Sequence, residues 1–438
     1  MKLSRKTLAG MRQRYPDAMR KENYVLDGIR RAGLSYGFEE YDAPLLEPLE
    51  LFLAKSGTEL AREQSYNFID KGDREIILRP ELTPSLARMV AAGGELLWPL
   101  RWMSFPLCYR YERPQRGRAR EFLQFNCDVL GSEEPQAELD VFLVLNRIMS
   151  NFSTDLSTYR IAWSSRQLVS SCLERSGLDP GELTRAFAVI DKKVKMEPPA
   201  WSDFLSGSFD DLSKVSAIRR FTELEDLEDP WLVSLVGEEE FYSDLCKFQR
   251  MLSDAGLDAA VFDPVIVRGL DYYTGIVFEL TDTGSQNRRA LCGGGRYDDL
   301  VGLFGGKRVS GVGFGLGILT LTLFLETYDL IPAEVGPLRE VQLFMTVYSP
   351  VERGAALSSA ETLRDNGITV EMYLGKKDLS KQFRLASRLG IPWVAVIGPD
   401  EVETSTINLK NMETGQRYNI SLEDVPAILS VRDSTRLC

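Results

Sequence analysis

With 438 residues, 44% of them hydrophobic and 26% charged, the chain has the make-up of a globular protein with two or three sizeable cores. Its formal net charge of −12 excludes a protein that coats nucleic acid non-specifically, so any nucleic-acid contact has to use local basic patches. The sequence contains no histidine, which excludes a histidine base, a histidine-assisted nucleophile and a histidine-ligated metal. Catalytic chemistry, if present, runs on arginine, carboxylate, tyrosine and bound cations. The six cysteines are scattered, with no CxxC pair and no disulfide spacing, which fits a reducing cytoplasm. No apolar run reaches bilayer length and the first seventeen residues lack the apolar core of a signal peptide, so no membrane association is expected.

Helical spacing of Met19, Tyr24, Val25, Ile29 and Leu34 predicts a first helix over 17–36. In the stretch Phe38 to Phe52, Pro44 and Pro48 confine the chain to an edge strand or extended segment followed by a turn and helix, equally a plain sheet edge or a subunit interface. Tyr66–Ile69 and Glu75–Arg79, flanking Asp70-Lys71-Gly72-Asp73, read as a hairpin. Thr83 is expected to cap the next helix, with Pro84 at its first position. Glu81 then lies where strand gives way to helix, suited to favouring the helix N-terminus or to holding a ligand ammonium group.

Between Tyr109 and Asp128 the sequence is YRYERPQRGRAREFLQFNCD. Five arginines (Arg110, Arg113, Arg116, Arg118, Arg120) fall within eleven residues, and Pro114 and Gly117 break the run, which predicts strand, exposed loop, strand. Such a cluster is as readily a solvated hairpin as a polyphosphate grip, whose guanidinium forks match phosphate oxygens. Glu112, Phe122, Gln124 and Asp128, lying among the arginines, tip the balance toward a site that reads a base and a small polar ligand beside phosphates. Residues 134–152 form an amphipathic helix, and 160–250 are mostly helical, without a defensible motif.

Residues 265–280, VIVRGLDYYTGIVFEL, predict a strand, a polar turn holding Arg268, Asp271, Tyr272 and Tyr273, and a second strand. The run Gly293, Gly294, Gly295 lets a strand approach a ligand with no side chains between, though it is neither a dinucleotide fingerprint nor a Walker loop. Glycines at 311, 313, 315 and 317 alternate, leaving one strand face bare, either for close helix–strand packing or for a flat nucleotide. From Val341 onward strands and helices alternate, predicting a separate α/β domain after a Pro332–Pro337 linker, with a basic cluster at Lys376, Lys377, Lys381 and Arg384.

Taken together these stretches resemble the class II aminoacyl-tRNA synthetases and, within them, the histidyl-tRNA synthetase family. YRYERPQRGR resembles motif 2 of that class, and 38–52 is similar to motif 1, which in the family lies at a dimer interface. LRPELTPSLARMV matches the family's Arg-Pro-Glu-x-Thr segment, RGLDYYTGIVFE its histidine signature, and CGGGRYDDL the glycine-rich wall that follows. GKKDLSKQFRLASRLGIPWVAVIG is similar to its anticodon-binding domain. The resemblance implies an α+β catalytic domain over 1–332, an antiparallel sheet flanked by helices, with the inserted helical region at about 160–250. An α/β anticodon-binding-like domain follows over 338–432.

It also implies ATP-dependent activation of histidine and its transfer to tRNA(His) by a cytoplasmic homodimer. Arg110 and Arg268 would bind the α-phosphate, Glu112 would accept from the adenine amino group and Phe122 would stack on the ring. Arg118 would hold the outer phosphates with Mg2+. Glu81, Thr83 and Gln124 would fix the amino acid's ammonium group, while Asp128, Tyr272 and Tyr273 would read the imidazole edge, Gly293, Gly294 and Gly295 would wall the pocket, and Lys376, Lys377 and Lys381 would meet tRNA. Many members carry glutamate where this chain has Asp128. The chain also departs at motif 3: Gly317-Ile318-Leu319-Thr320 stands where the family has Gly-x-Glu-Arg, so Thr320 replaces an arginine that braces the γ-phosphate. Chloroplast-type members of the family share this loss. Two other readings are a non-ligating histidine-binding relative, like the regulatory subunit of ATP phosphoribosyltransferase, and a tRNA-binding sensor. The C-terminal lysines and the intact Arg110, Glu112 and Arg268 set favour the ligase over the first of these.

Overall fold

The computed structural model describes residues 4–53, 59–267, 272–284, 286–287, 289–305, 307–336 and 339–430. The chain divides into two compact units, Met1–Pro332 and Ala333–Cys438. In the first, helix α1 (Pro16–Ser35) leads into β1 (Glu39–Glu40), β2 (Leu46–Pro48) and the short α2 (Glu50–Leu53). The hairpin β3 (Tyr66–Ile69) and β4 (Glu75–Leu78) pairs with β2 as a small three-stranded sheet, and α3 (Thr83–Ala92) follows. Asp70 closes the hairpin turn by accepting from the backbone N–H groups of Gly72 and Arg74 at 2.8 and 3.0 Å.

The main sheet continues with β5 (Leu100–Ser104), β6 (Leu107–Tyr109) and the long β7 (Glu121–Leu130), then helix α4 (Gln136–Asn151) and β8 (Tyr159–Ser165). Helices α5–α10 (Arg166–Arg175, Pro180–Asp191, Pro198–Ser208, Leu212–Phe221, Pro230–Val236, Glu240–Asp254) fill the region expected to be helical. Then come β9 (Ala260–Phe262), β10 (Ile276–Asp282), β11 (Cys292–Tyr297), β12 (Gly311–Gly317) and α11 (Ile318–Thr327). The strand order is β1-β5-β7-β12-β11-β10-β8-β9, with β6 continuing the pairing along β7. The middle of the sheet is antiparallel, but both edges, β1 on β5 and β9 on β8, are parallel, so the sheet is mixed rather than purely antiparallel.

Three local expectations need correction. Leu82, not Thr83, occupies the cap of α3, and Thr83 is its first helical residue with its side chain buried. Residues 265–267 are not a strand; the sheet position expected for them is taken by β9 a few residues earlier. Tyr159–Ser165, read as part of the helical region, is a full sheet strand paired along its length with β10.

Period-two alternation along β7 divides the unit. Phe125, Cys127 and Val129 face the large core, where α1, α4 and the inserted helices pack through Val25, Ile29, Phe142 and Phe248. The Phe142 ring lies 4.6 Å from Phe278 and 5.3 Å from Phe248, so α4 ties sheet and insertion together. The other face carries a smaller core of Leu86, Ala87, Val90, Tyr272, Val277 and Tyr297, built against α3.

The second unit has strands β13 (Leu343–Met345), β14 (Val370–Met372), β15 (Trp393–Val396), β16 (Thr406–Asn411) and β17 (Arg417–Ser421). They form a sheet of order β14-β13-β15-β16-β17, parallel through its first three strands, with helices α12 (Arg353–Asp365), α13 (Leu379–Arg388), α14 (Pro399–Thr404) and α15 (Val425–Ser430). Separate apolar clusters form around Leu343 and around Phe344, as expected for a sheet covered on both faces.

In the first unit a buried ion pair fastens α4 to β11. Arg296 donates through Nε and Nη2 to the two carboxylate oxygens of Glu138, both at 2.5 Å, and through Nη1 to the Ser132 carbonyl at 2.9 Å. Removing Glu138 leaves the buried Arg296 guanidinium with only the more distant Asp298, at 3.6 Å, as counter-charge. Glu138→Ala is expected to destabilise the first unit by about 3–5 kcal/mol, seen as a lower urea midpoint for its unfolding while the transition of the second unit stays in place.

Candidate active site

A cleft of about 960 Å3 opens on the α3 side of the main sheet. Of the residues singled out in the sequence, Glu81, Thr83, Arg110, Glu112, Arg118, Phe122, Gln124, Asp128, Tyr272, Tyr273 and Gly293 all line it. Arg268 and Asp271 lie outside the described residues. Gly294 and Gly295 do not line the cleft: a side chain at Gly294 would strike the Gly313 carbonyl and Phe278 in the core, and one at Gly295 would strike Tyr273 and the Ile276 carbonyl. Both glycines serve close strand packing. Lys376, Lys377 and Lys381 belong to the second unit, exposed at the start of α13, where Lys381 pairs with Asp378 at 2.8 Å.

The glycine-bare face of β12 is not an open shelf. In the β7–β12 ladder Gly313 sits opposite Asp128, Gly315 opposite Asn126 and Gly317 opposite Gln124, all on the cleft face. A side-chain carbon at Gly313 would collide with the Asp128 carboxylate, and one at Gly315 with the Gln124 amide. The glycines make room for polar side chains of the neighbouring strand, rather than for a nucleotide lying on the strand itself.

One part of the cleft lining is acidic and buried. Asp128 is 1% exposed; its Oδ1 accepts from the Tyr297 hydroxyl at 2.6 Å, and its Oδ2 has no hydrogen-bond partner. Glu81, 4% exposed, accepts from the Tyr272 hydroxyl at 3.1 Å through Oε2 and leaves Oε1 without a partner. Buried acceptors are rarely left open without a function, so both carboxylates are poised for donors brought by a ligand. Burial pushes the Asp128 carboxyl up to about 7, against the Tyr297 hydrogen bond, which favours the charged form. Burial, and then the adjoining acidic groups, hold Tyr272 and Tyr297 well above the usual phenol range, so both remain donors at neutral pH.

Another part of the cleft lining is basic. The arginine loop turns at Gly117, whose φ of 74° suits glycine. Arg110 is held by its Nε–H to the Pro80 carbonyl at 3.0 Å, and its guanidinium stands 5.3 Å from the Phe122 ring centre. Arg118 pairs with Glu112. Burial, with the like charges of Arg289 and Arg110, holds the Arg118 guanidinium below its ordinary value, and the charge of Glu112 opposes them. Tyr297, Asn126 and Arg289 also line the cleft and were not singled out from the sequence. Asn126 was legible, being the middle residue of the alternating set Gln124, Asn126, Asp128; Tyr297 lies two residues past the glycine run, and nothing local marks Arg289. Among the described residues no group of three or more carboxylates and cysteines is arranged to hold a metal.

A mixed sheet whose cleft is lined by an arginine loop and by buried carboxylates is the kind of site class II aminoacyl-tRNA synthetases carry. Comparison with known proteins narrows this. A family model described as histidyl-tRNA synthetase matches residues 10–321, and one described as anticodon binding domain matches 346–432. The chain is similar to a histidine–tRNA ligase of Leptospira biflexa, 35% identical over 426 residues and covering 97% of each protein. It is also similar to the chloroplastic/mitochondrial histidine–tRNA ligase of Arabidopsis thaliana, 34% identical over 421 residues, covering 95% of this chain and 85% of that one. Its fold matches the crystal structure of histidyl-tRNA synthetase from Nostoc sp. PCC 7120 with a TM-score of 0.81 at 23% identity, covering 98% of this chain and 100% of that one. The chain belongs to the histidyl-tRNA synthetase family.

The buried carboxylate gives a signed prediction. Asp128 holds its proton more tightly folded than unfolded, so its contribution to stability is complete below about pH 4 and is lost as pH rises through about 7. Between those limits the wild type should lose up to about 4 kcal/mol relative to Asp128→Asn, which cannot titrate. Urea unfolding of both proteins at stepped pH measures the difference; parallel curves would show that Asp128 does not titrate in this range.

Proposed function

We infer that the protein is a histidine–tRNA ligase, activating histidine with ATP to histidyl-adenylate and then transferring it to the 3′ end of tRNA(His). The observation that carries this reading is that one cleft gathers guanidiniums together with buried carboxylates whose acceptor oxygens are open. A polyphosphate suits the first, and an ammonium with an imidazole suits the second. The substrate carboxylate is already a nucleophile: its oxygen bonds the α-phosphorus, the bond to the β-phosphate oxygen breaks, and pyrophosphate leaves. No base is required, so a protein without histidine has everything the step demands. Catalysis is positioning and charge stabilisation.

In this reading Arg110 and Arg268 stabilise the α-phosphate, with Arg110 backed by Phe122 and the Pro80 carbonyl. ATP separates the Glu112–Arg118 pair, Glu112 turning to the adenine amino group and Arg118 to the outer phosphates; Phe122 stacks on the base. Arg118 would hold the outer phosphates together with Mg2+, which would supply further charge neutralisation there. Glu81, Thr83 and Gln124 take the ammonium group, and Asp128 with Tyr272 and Tyr273 takes the ring. A dry site built to pair with both ring nitrogens rejects isosteres lacking them by roughly 10⁴-fold, because its own groups would be left bare.

A homodimer is supported by exposed apolar residues on and beside the small sheet, with Leu46 50%, Phe68 48% and Ile69 68% exposed. Cytoplasmic residence is supported by the reduced thiols of Cys108, Cys127, Cys172 and Cys246; no helix among the described residues is long and apolar enough to cross a membrane.

Histidine-dependent ATP–pyrophosphate exchange tests the reading. Wild-type protein should exchange only with histidine, and Arg110→Ala or Arg268→Ala should reduce the rate at least about 10²-fold. Histidine binding without exchange would instead mark a non-ligating relative. For tRNA, replacing Lys376 and Lys377 with alanine should weaken binding and lower the slope of log K against log salt by about 2, leaving exchange unchanged. An equal loss of exchange would show that these lysines do not act through tRNA.

A further inference from the structure

Arg289 lies on the segment between β10 and β11, half-buried and lining the cleft. Two residues on, the Leu291 carbonyl accepts from the Gly317 N–H at 2.9 Å and from the Thr320 hydroxyl at 3.4 Å, which fixes this segment to the first turn of α11. At the tip of the arginine loop, a Cβ on Gly117 would lie 3.4 Å from Thr320 Cγ2 and 3.7 Å from Arg289 Cδ. The Arg289 stem therefore runs beside Thr320, against the loop that carries Arg118.

We propose that Arg289 is a polyphosphate-binding residue that completes, with Arg110 and Arg118, a three-guanidinium cradle in the basic part of the cleft lining. The proposal rests on the ligase reading for the identity of the polyphosphate, ATP. Arg118 has Glu112 as a counter-charge, and Arg110 is held by the Pro80 carbonyl and the Phe122 ring. Arg289 has no ion pair among the described residues, and its charge is felt at Arg118 as repulsion. Three like charges gathered where one carboxylate answers one of them is a costly arrangement until an anion arrives. Thr320 cannot supply the missing charge: its hydroxyl is directed back to the Gly317 carbonyl at 2.8 Å, into the start of its own helix. Arg289 lines the same cleft as Thr320 and comes to the arginine loop at Gly117 beside it.

Two measurements on the intact protein test this. In calorimetric titration with inorganic tripolyphosphate, without histidine, Arg289→Ala should weaken binding about ten- to a hundredfold, the loss expected for a charged hydrogen-bonding partner. In histidine-dependent exchange the same variant should raise the KM for ATP by a similar factor and leave the KM for histidine unmoved, and Arg289→Lys should recover part of the loss. A merely structural role would shift both KM values together. Should the alanine variant fail to fold, Arg289→Met keeps the stem and removes the charge. Variants that bind tripolyphosphate and ATP like wild type overturn the cradle and leave the ligase reading standing. Wild-type protein that binds tripolyphosphate through Arg289 yet never exchanges overturns the ligase reading and leaves the cradle.

Discussion

The ladder between Glu121–Leu130 and Gly311–Gly317 is the constraint on which the site depends. A strand can carry polar side chains on one face and apolar ones on the other only if the polar face has both room and partners. Here the room comes from the neighbouring strand, whose glycines lie under Asp128 and Gln124. A methyl group at Gly313 or Gly315 would displace the Asp128 and Gln124 side chains from their places in the cleft lining. The opposite face of the same strand holds Phe125, Cys127 and Val129 in the large core, so a register slip of one residue would exchange core and site.

From this follows the electrical asymmetry of the cleft. Asp128 projects from strand interior and Glu81 from the strand–helix junction before α3, both buried; at Asp128 burial raises the cost of ionisation and the Tyr297 hydroxyl partly offsets it. The guanidiniums project from loops, more exposed, with the Arg118 side chain at 40%. A ligand cation is thus met by acceptors already desolvated, while a polyanion is met by donors that still share water.

Much of this was legible in the sequence. The arginine loop, the Tyr66–Leu78 hairpin, the glycine run as a strand and the α/β rhythm after Val341 all follow from turn chemistry and periodicity, which are local. What escaped was non-local. Tyr159–Ser165 resembles the helical region that follows it, and only pairing with Ile276–Asp282 makes it a strand. The alternating glycines promised empty space, but which neighbour fills it depends on register across the sheet. Thr83 has the chemistry of a cap; the helix begins one residue earlier because that hydroxyl is buried beside Tyr272. Arg289 has no local signature at all, since its neighbours in space come from residues near 117 and near 320.

The two parts of the cleft lining also differ in how much sequence change they can absorb. Recognition of a ring by hydrogen bonds needs each partner within a few tenths of an ångström, and strands fix side chains that well. Attraction of a polyphosphate falls only as the inverse of distance, so a guanidinium delivered from a different segment serves as long as it reaches the same few ångströms of space. The basic part can therefore lose an arginine from one element and regain it from the next in space. Asp128 shows the stricter case: Tyr297 reaches across from β11 and holds its carboxylate in place by a hydrogen bond of 2.6 Å.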